Sequence, residues 1–358
     1  MRLKKTAITI FFLLAGLNIH AQQDTTFQPH GDPIIQVFGV ADYNATKDAD
    51  RAYGFGFARA HLGYQYQFTP HWSAKIILDR GRPTSVGAIA VTDATGDQIN
   101  VTQSVQEGSY YTMTLKFATL AWQVSPKLRV EGGGILQNHY ITQERFWGYR
   151  YVAKTFQDRY FHTPSGDLGF IAYYRLNQTF ALDAALTNGE GFRSDQDPYG
   201  NVKTAVGLDV NPGNRFQSRI YYAHQPSGAP GDETAQQLIS LFAGYRIPDV
   251  GRIGGEYNYH INHHNMRGKD LYGYSLYGSL EVAKQSSLFV RFDHLTSNTP
   301  DEMNNPWNHD GNGSAIITGV HHSPVESIGL SLNYKGWMPE NSDLNTRHHV
   351  MLNFEYKW

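Results

Sequence analysis

Polar and apolar residues alternate along much of this chain, most cleanly in two places. Between residues 54 and 68, Ala58, Ala60, Leu62, Tyr64, Tyr66 and Phe68 share one parity, and Arg59, His61, Gly63, Gln65 and Gln67 share the other. Between 347 and 358, Val350, Leu352, Phe354, Tyr356 and Trp358 alternate with His349, Met351, Asn353, Glu355 and Lys357. Successive side chains on a strand point to opposite faces, so each stretch predicts a strand with one oily and one wet face. Residues 34–42 and 72–80 read the same way, as do the runs through Leu168, Phe170 and Ala172, through Thr204, Val206 and Leu208, through Tyr272, Tyr274 and Leu276, and through Leu330, Leu332 and Tyr334. Tight turns fall near Pro70, Pro126, Asn177, Pro212, Asp249, Gln285 and Pro324. Between these hairpins lie longer stretches rich in Gly, Asn, Asp and Ser.

Short connections thus alternate strictly with long ones. Seven short turns and eight long loops give about sixteen strands. The pattern predicts an all-β protein: a transmembrane antiparallel β-barrel with short periplasmic turns and long extracellular loops. A two-sheet sandwich shows no such asymmetry and has shorter strands. An oily row ending on Trp358 would be an aggregation hazard at an open sheet edge. It is at ease if the strand seals against the first one and faces lipid.

Composition adds an address. Met1-Arg2-Leu3-Lys4-Lys5 is basic, an apolar run follows over residues 7–17, and Ala21 is small. That order predicts a secretory signal peptide over 1–21, too short to span a bilayer as a helix. Residues 22–33 read as a periplasmic lead-in and 34–358 as the barrel. Mean hydropathy is only −0.46, yet the chain holds 23 Tyr, 19 Phe and 35 Gly. A barrel has this composition because only alternate residues touch lipid. There are no cysteines, so an exported chain must be held by its sheet rather than by disulfides. Loss of the leader leaves an excess of about five acidic residues, which argues against a nucleic-acid partner.

About sixteen strands enclose more space than side chains fill, so a water-filled lumen is expected. Parity assigns to the inner face Arg59, Lys75, Asp79, Lys116, Arg129, Glu131, Arg175, Asp183, Lys203, Asp209, Arg219, Arg246, Arg252, Glu256, Arg291, Asp293 and Glu355. Charges this dense are tolerable beside water or in pairs, and costly otherwise. The expected pore-lining groups are Arg59, Lys75, Lys116, Arg129, Arg175, Arg219, Arg246, Arg252, Glu256 and Arg291. The loop over residues 142–166 is both aromatic and basic, with Phe146, Trp147, Tyr149, Tyr151, Phe156 and Tyr160. Either it folds into the lumen as a constriction, with Arg145, Arg150, Lys154 and Arg159 favouring anions, or it is a surface lid.

The segments Phe146-Trp147-Gly148-Tyr149-Arg150-Tyr151, Phe156-Gln157-Asp158, Asp167-Leu168-Gly169 and Thr187-Asn188-Gly189-Glu190-Gly191 resemble the porins of Bacteroidota, grouped with the phosphate-selective porin O and P family. Arg59-Ala60-His61-Leu62-Gly63-Tyr64 is similar to their early strands. The resemblance implies a sixteen-stranded porin, a homotrimer, and passage of small hydrophilic solutes or of anions such as phosphate. No cofactor is expected. Histidines pair at His263-His264, His321-His322 and His348-His349, but neighbours on a strand face opposite sides. Only a turn at Asn262 would gather His260, His263 and His264, so no metal site is expected either. His309-Asp310 lacks a nucleophile motif, which leaves a loop-borne hydrolase without support and predicts no enzyme. The reading is a passive outer-membrane channel; the alternative is a non-conducting barrel that serves as a surface receptor or adhesin.

Overall fold

The computed structural model describes residues 27–50, 52–81, 89–92, 98–101, 112–192, 194, 196–227 and 234–358. The expected leader and the start of the lead-in lie outside the described residues. The strands are β1 (His30–Asn44), β2 (Tyr53–Gln67), β3 (Trp72–Gly81), β4 (Ile89–Thr92), β5 (Gln98–Val101), β6 (Thr112–Ser125), β7 (Leu128–Leu136), β8 (Gly166–Arg175) and β9 (Phe180–Thr187). They continue as β10 (Lys203–Val210), β11 (Phe216–Gln225), β12 (Gln236–Ile247), β13 (Gly251–Ile261), β14 (Leu271–Ala283), β15 (Ser286–Ser297), β16 (Gly313–Val325), β17 (Ile328–Pro339) and β18 (Arg347–Lys357). β4 and β5 pair only with each other, as a ribbon within one long loop. The other sixteen form a closed antiparallel barrel in which each strand pairs with its neighbours along the chain.

β1 seals the cylinder against β18, with Val37 opposite Tyr356, Gly39 opposite Phe354 and Ala41 opposite Leu352. Ile35 and Trp358 exchange backbone hydrogen bonds of 3.1 Å in both directions. β1 begins at His30, earlier than the alternation suggests, because residues 30–33 extend the ladder with β2 alone. Pro33 sits there, past the last β18 partner, where its missing N–H leaves no bond unmade on the β18 side.

The two faces of each strand are physically distinct. Leu62, Ile76, Leu120, Phe170, Leu186, Val206, Ile220, Ile253, Leu276, Val290, Leu332 and Leu352 are exposed apolar side chains on the outside. Together they girdle the barrel with exposed apolar side chains, the outward pattern of a transmembrane β-barrel. At the short-turn rim Trp72 and Trp122 stack at 5.3 Å and 2°, next to Tyr64, Tyr66 and Phe68. On β18, Asn353 is buried inside, while Leu352 and Tyr356 are exposed outside.

Candidate functional site: a loop-lined lumen

The connection between β7 and β8, residues 137–165, folds inward. Its anchor is Asp167 at the start of β8. This carboxylate is fully buried and accepts from Gln137 Nε2 (2.6 Å) and from the backbone N–H groups of Leu168 (2.9 Å), Gly189 (3.0 Å) and Gly191 (3.2 Å). It thereby ties both ends of the inserted loop to the loop after β9. A short helix, α1 (Ile141–Trp147), follows and ends at Gly148, whose φ of 74° suits glycine.

From there the loop runs along the inner wall. Thr142 donates to Asp209 on β10 (2.8 Å), and Gln143 to Ser240 on β12 (3.3 Å). Phe146 packs on Phe242 and Tyr277, Trp147 on Tyr277 and Phe289, and Tyr149 on Phe289. Phe146 fits because residues 244 and 254 are glycines. A Cβ at either would lie 2.5 or 2.9 Å from its ring. Tyr149 Oη bonds Ser287 (2.7 Å), Tyr151 Oη bonds His321 (2.7 Å), and Asn353 donates to the Tyr151 carbonyl (3.2 Å). Arg291 donates to the Lys154 carbonyl (2.8 Å), Gln157 to Asn258 (2.6 Å) and Tyr160 to Asp293 (2.9 Å). The aromatics that make this loop conspicuous are thus its buried underside, on the wall from β10 round to β18 and β1. The contacts of this loop fall on inward-facing residues of the barrel wall.

The expected site residues fall into three groups. Arg219 and Arg291 face inward but are shut in beneath the loop. Arg219 donates to Asp183 (2.7 Å) and Asp209 (2.9 Å), and Arg291 grips Asp293 through Nε (2.7 Å) and Nη2 (3.0 Å). Glu256 is also buried there, accepting from Asn258 (3.2 Å).

A second group stands on the inner faces of β2, β3 and β6. Asp79 accepts from Lys116 (2.6 Å) and lies 3.3 Å from His61. Arg59 donates to Gln36 (2.9 Å) and covers Phe38. The charges of Arg150 and Glu144 reach Arg59 from the loop. Lys75 is half-buried on the inward parity of β3. Nearer the short-turn rim, Arg129 pairs with Glu131 (2.8 Å) and Arg175 is exposed.

The loop cations and their neighbours make the third group. Arg150 is held by Glu144 (2.7 Å) and Asp158 (3.0 Å), and Lys154 by Asp158 (2.8 Å). Arg145 is exposed and has no carboxylate partner among the described residues, whereas Arg159 lies over Tyr160. Arg246 and Arg252 likewise spend their guanidinium faces on loop rings, at 4.7 Å from Phe146 and 4.8 Å from Tyr149. The parity reading missed Glu144 and Asp158, since a loop has no parity; the spacing of Lys154 and Asp158, four apart, was the available signal.

The turn at Asn262 (φ 52°) does form and brings His260 Nδ1 within 2.9 Å of His263 Nδ1. Among the described residues no three His, Asp or Glu side chains are placed to hold a metal ion. Asp310, beside His309, accepts from Asn341 (2.7 Å), which ties two loops together.

Neither a family model nor a curated protein matches this chain. Solved structures do match in fold. An anion-selective porin from Comamonas acidovorans is similar at TM-score 0.67 and 11% identity, over 92% of this chain and 100% of the other. The outer membrane channel DcaP of Acinetobacter baumannii follows at TM-score 0.64 and 12% identity, over 92% and 97%. The trimer form of OmpT, an outer membrane protein of Vibrio cholerae, is similar at TM-score 0.58 and 11% identity, over 93% and 100%. Fold and apolar belt together define the class: a sixteen-stranded barrel with the architecture of outer-membrane porins. At these identities the likeness is one of fold.

Proposed function

We propose that the chain is an outer-membrane channel for passive diffusion of small hydrophilic solutes, with a preference for anions. The observation that carries this is the placement of the 137–165 loop. Its aromatic rings are buried against inward-facing residues of the wall. Arg145 and Lys154 on that loop remain exposed. A solute would be filtered by width and wall charge, with no chemistry on it. The short-turn rim then faces the periplasm and the long loops face outward, after export on the 1–21 leader.

Anion preference follows from pairing rather than from counting. Arg129, Arg150, Arg219 and Arg291 are matched to carboxylates. Arg59, Arg145, Arg246 and Arg252 have no carboxylate partner among the described residues. Phosphate specificity would call for an unbroken ladder of free cations, and the pairing of Arg219 and Arg291 interrupts one, so the preference proposed is for anions generally. Kinship with the Bacteroidota porin O and P family and a homotrimeric assembly belong to the same proposal. They are supported by the motifs in the 146–191 region and by the trimer form of one structural neighbour.

The test is reconstitution of the full chain in planar bilayers under a salt gradient. Steady open-channel current with a reversal potential of anionic sign is expected. Absence of steady current would overturn the channel reading in favour of a surface receptor. Mass spectrometry of the detergent-solubilised protein should give three chains per particle.

A further inference from the structure

Above the constriction, towards the long-loop rim, a cavity of about 680 Å³ opens between the end of the inserted loop, the turn at 263–266, the loop at 307–311 and the ends of β17, β18 and β1. One side is a row of alternating charge and ring. The Arg159 guanidinium lies 5.2 Å from the Tyr160 ring, Tyr160 stacks on Trp337 at 5.7 Å and 29°, and the Arg347 guanidinium lies 5.7 Å from Trp337. On another side Trp307 is fixed by its indole N–H, which donates to the Asp270 carbonyl (2.9 Å), and packs on His263 at 6.0 Å.

The charge of this lining is lopsided. Arg159, Lys335 and Arg347 face a single carboxylate, Asp42, which already bonds His349 (3.0 Å). Neither Arg159 nor Arg347 has a hydrogen-bonded carboxylate among the described residues, unlike Arg150, Arg219 and Arg291 elsewhere in the lumen. Stacking leaves the in-plane N–H donors of a guanidinium free, and those donors match a carboxylate or phosphate in a bidentate fashion. Trp337 is covered by Tyr160 and Arg347, whereas the half-buried Trp307 offers an apolar surface to a ring.

We propose that this vestibule is a binding site for a small organic anion that carries a ring: the acid group on Arg347, the ring against Trp307. The inference deepens the channel reading, because it names what would be concentrated above the constriction. It rests on that reading only for what happens after binding.

The test is calorimetric titration of the detergent-solubilised full chain with phenyl phosphate, glucose 1-phosphate, inorganic phosphate and benzyl alcohol. At least one ring-bearing phosphate should bind about tenfold or more tighter than inorganic phosphate or benzyl alcohol. Arg347→Gln and Trp307→Ala should each weaken it about tenfold, with Arg347→Lys falling between. The pair of ring-bearing probes tells an aromatic from a pyranose ligand. Equal affinity for inorganic phosphate and both ring-bearing phosphates, no saturable heat, or indifference to Arg347→Gln would each overturn the site. Should Trp307→Ala disorder its loop, the Arg347 pair still decides. A protein that conducts but binds neither ring-bearing probe refutes the vestibule alone; one that binds but never conducts refutes the channel alone.

Discussion

Gly244 and Gly254 show how single residues set the width of the lumen. Both face inward, and both leave the space that the Phe146 ring fills. Gly254→Val would place branched carbons where that ring lies, an overpacking that costs about 1–3 kcal/mol. Gly254 is held in the ladder by Gly244 on one side and Tyr277 on the other, so the strain should be relieved by lifting α1 off the wall. Single-channel conductance of Gly254→Val should then differ from that of the parent, and amide exchange over 141–147 should rise; unchanged values in both would sink this account. A similar contrast separates the loop cations. Arg150→Ala deprives Glu144 of its partner and leaves Asp158 with Lys154 alone, whereas Arg145→Ala removes an exposed charge with no carboxylate partner among the described residues. Exposed charges away from such features change stability by about half a kcal/mol or less. Protease sensitivity of the loop should therefore rise for Arg150→Ala and stay put for Arg145→Ala. The basic residues of this loop were legible in the sequence as a group. Which of them are neutralised was not, since the carboxylates that do it are brought round by the fold of the loop itself.

At the scale of elements, two loops hold most of the functional detail, and each has a distinct weak point. The inserted loop hangs on Asp167. Asp167→Ala would leave two buried backbone N–H groups and the Gln137 amide without an acceptor, at about 1–3 kcal/mol for each group left unsatisfied. Exchange should accelerate over 137–165 and 188–192 while the strands stay protected; uniform acceleration would mean that Asp167 supports the barrel rather than the loop. The turn Asn262–Asn265 answers to pH. Burial, with His264 and His162 nearby, pushes His263 down from 6.5 to about 3. Below pH 6.5 an unfolded turn takes up a proton that the folded one refuses, so folding of this turn loses stability as pH falls from 6.5 towards 3 and is indifferent above 6.5. Fluorescence of Trp307, which packs on His263, should report a loosening between pH 6 and 4. His263→Gln should weaken that transition, with His264, held below the usual imidazole range by burial, and His260, which contacts His263, supplying the rest. The aromatic richness of the inserted loop made a role inside the barrel readable as one of two options. The histidine turn was readable only as a condition, because positive φ at Asn262 and His264 leaves no trace in an alternating pattern.

For the whole molecule, the period of two did nearly all the work. Strand number, the alternation of short and long connections, the seal at β1 and β18, and the side on which Leu352 and Asn353 fall all follow from it. One face must meet lipid and the other must not, and a slip of one residue would exchange them. Charge obeyed no such rule. The sequence carries more acid than base, yet several inner-wall carboxylates are paired or buried. Asp183 and Asp209 neutralise Arg219, Asp293 neutralises Arg291, and Glu256 is shut behind the loop. Among the cations inside the barrel without a carboxylate partner in the described residues are Arg59, Arg145, Arg246 and Arg252, with Arg159 and Arg347 at the outer mouth. The field of such a wall is screened over about 10 Å at 0.1 M salt and about 3 Å at 1 M. Anion preference should therefore be strong in dilute salt and fade as salt rises, and the double variant Arg246→Gln, Arg252→Gln should weaken it at 0.1 M without altering the closed barrel. Reversal potentials measured across that salt range decide the matter. Cation preference at low salt, or a preference untouched by the double variant, would mean that the net acidity of the chain, and not the pairing inside it, governs what passes.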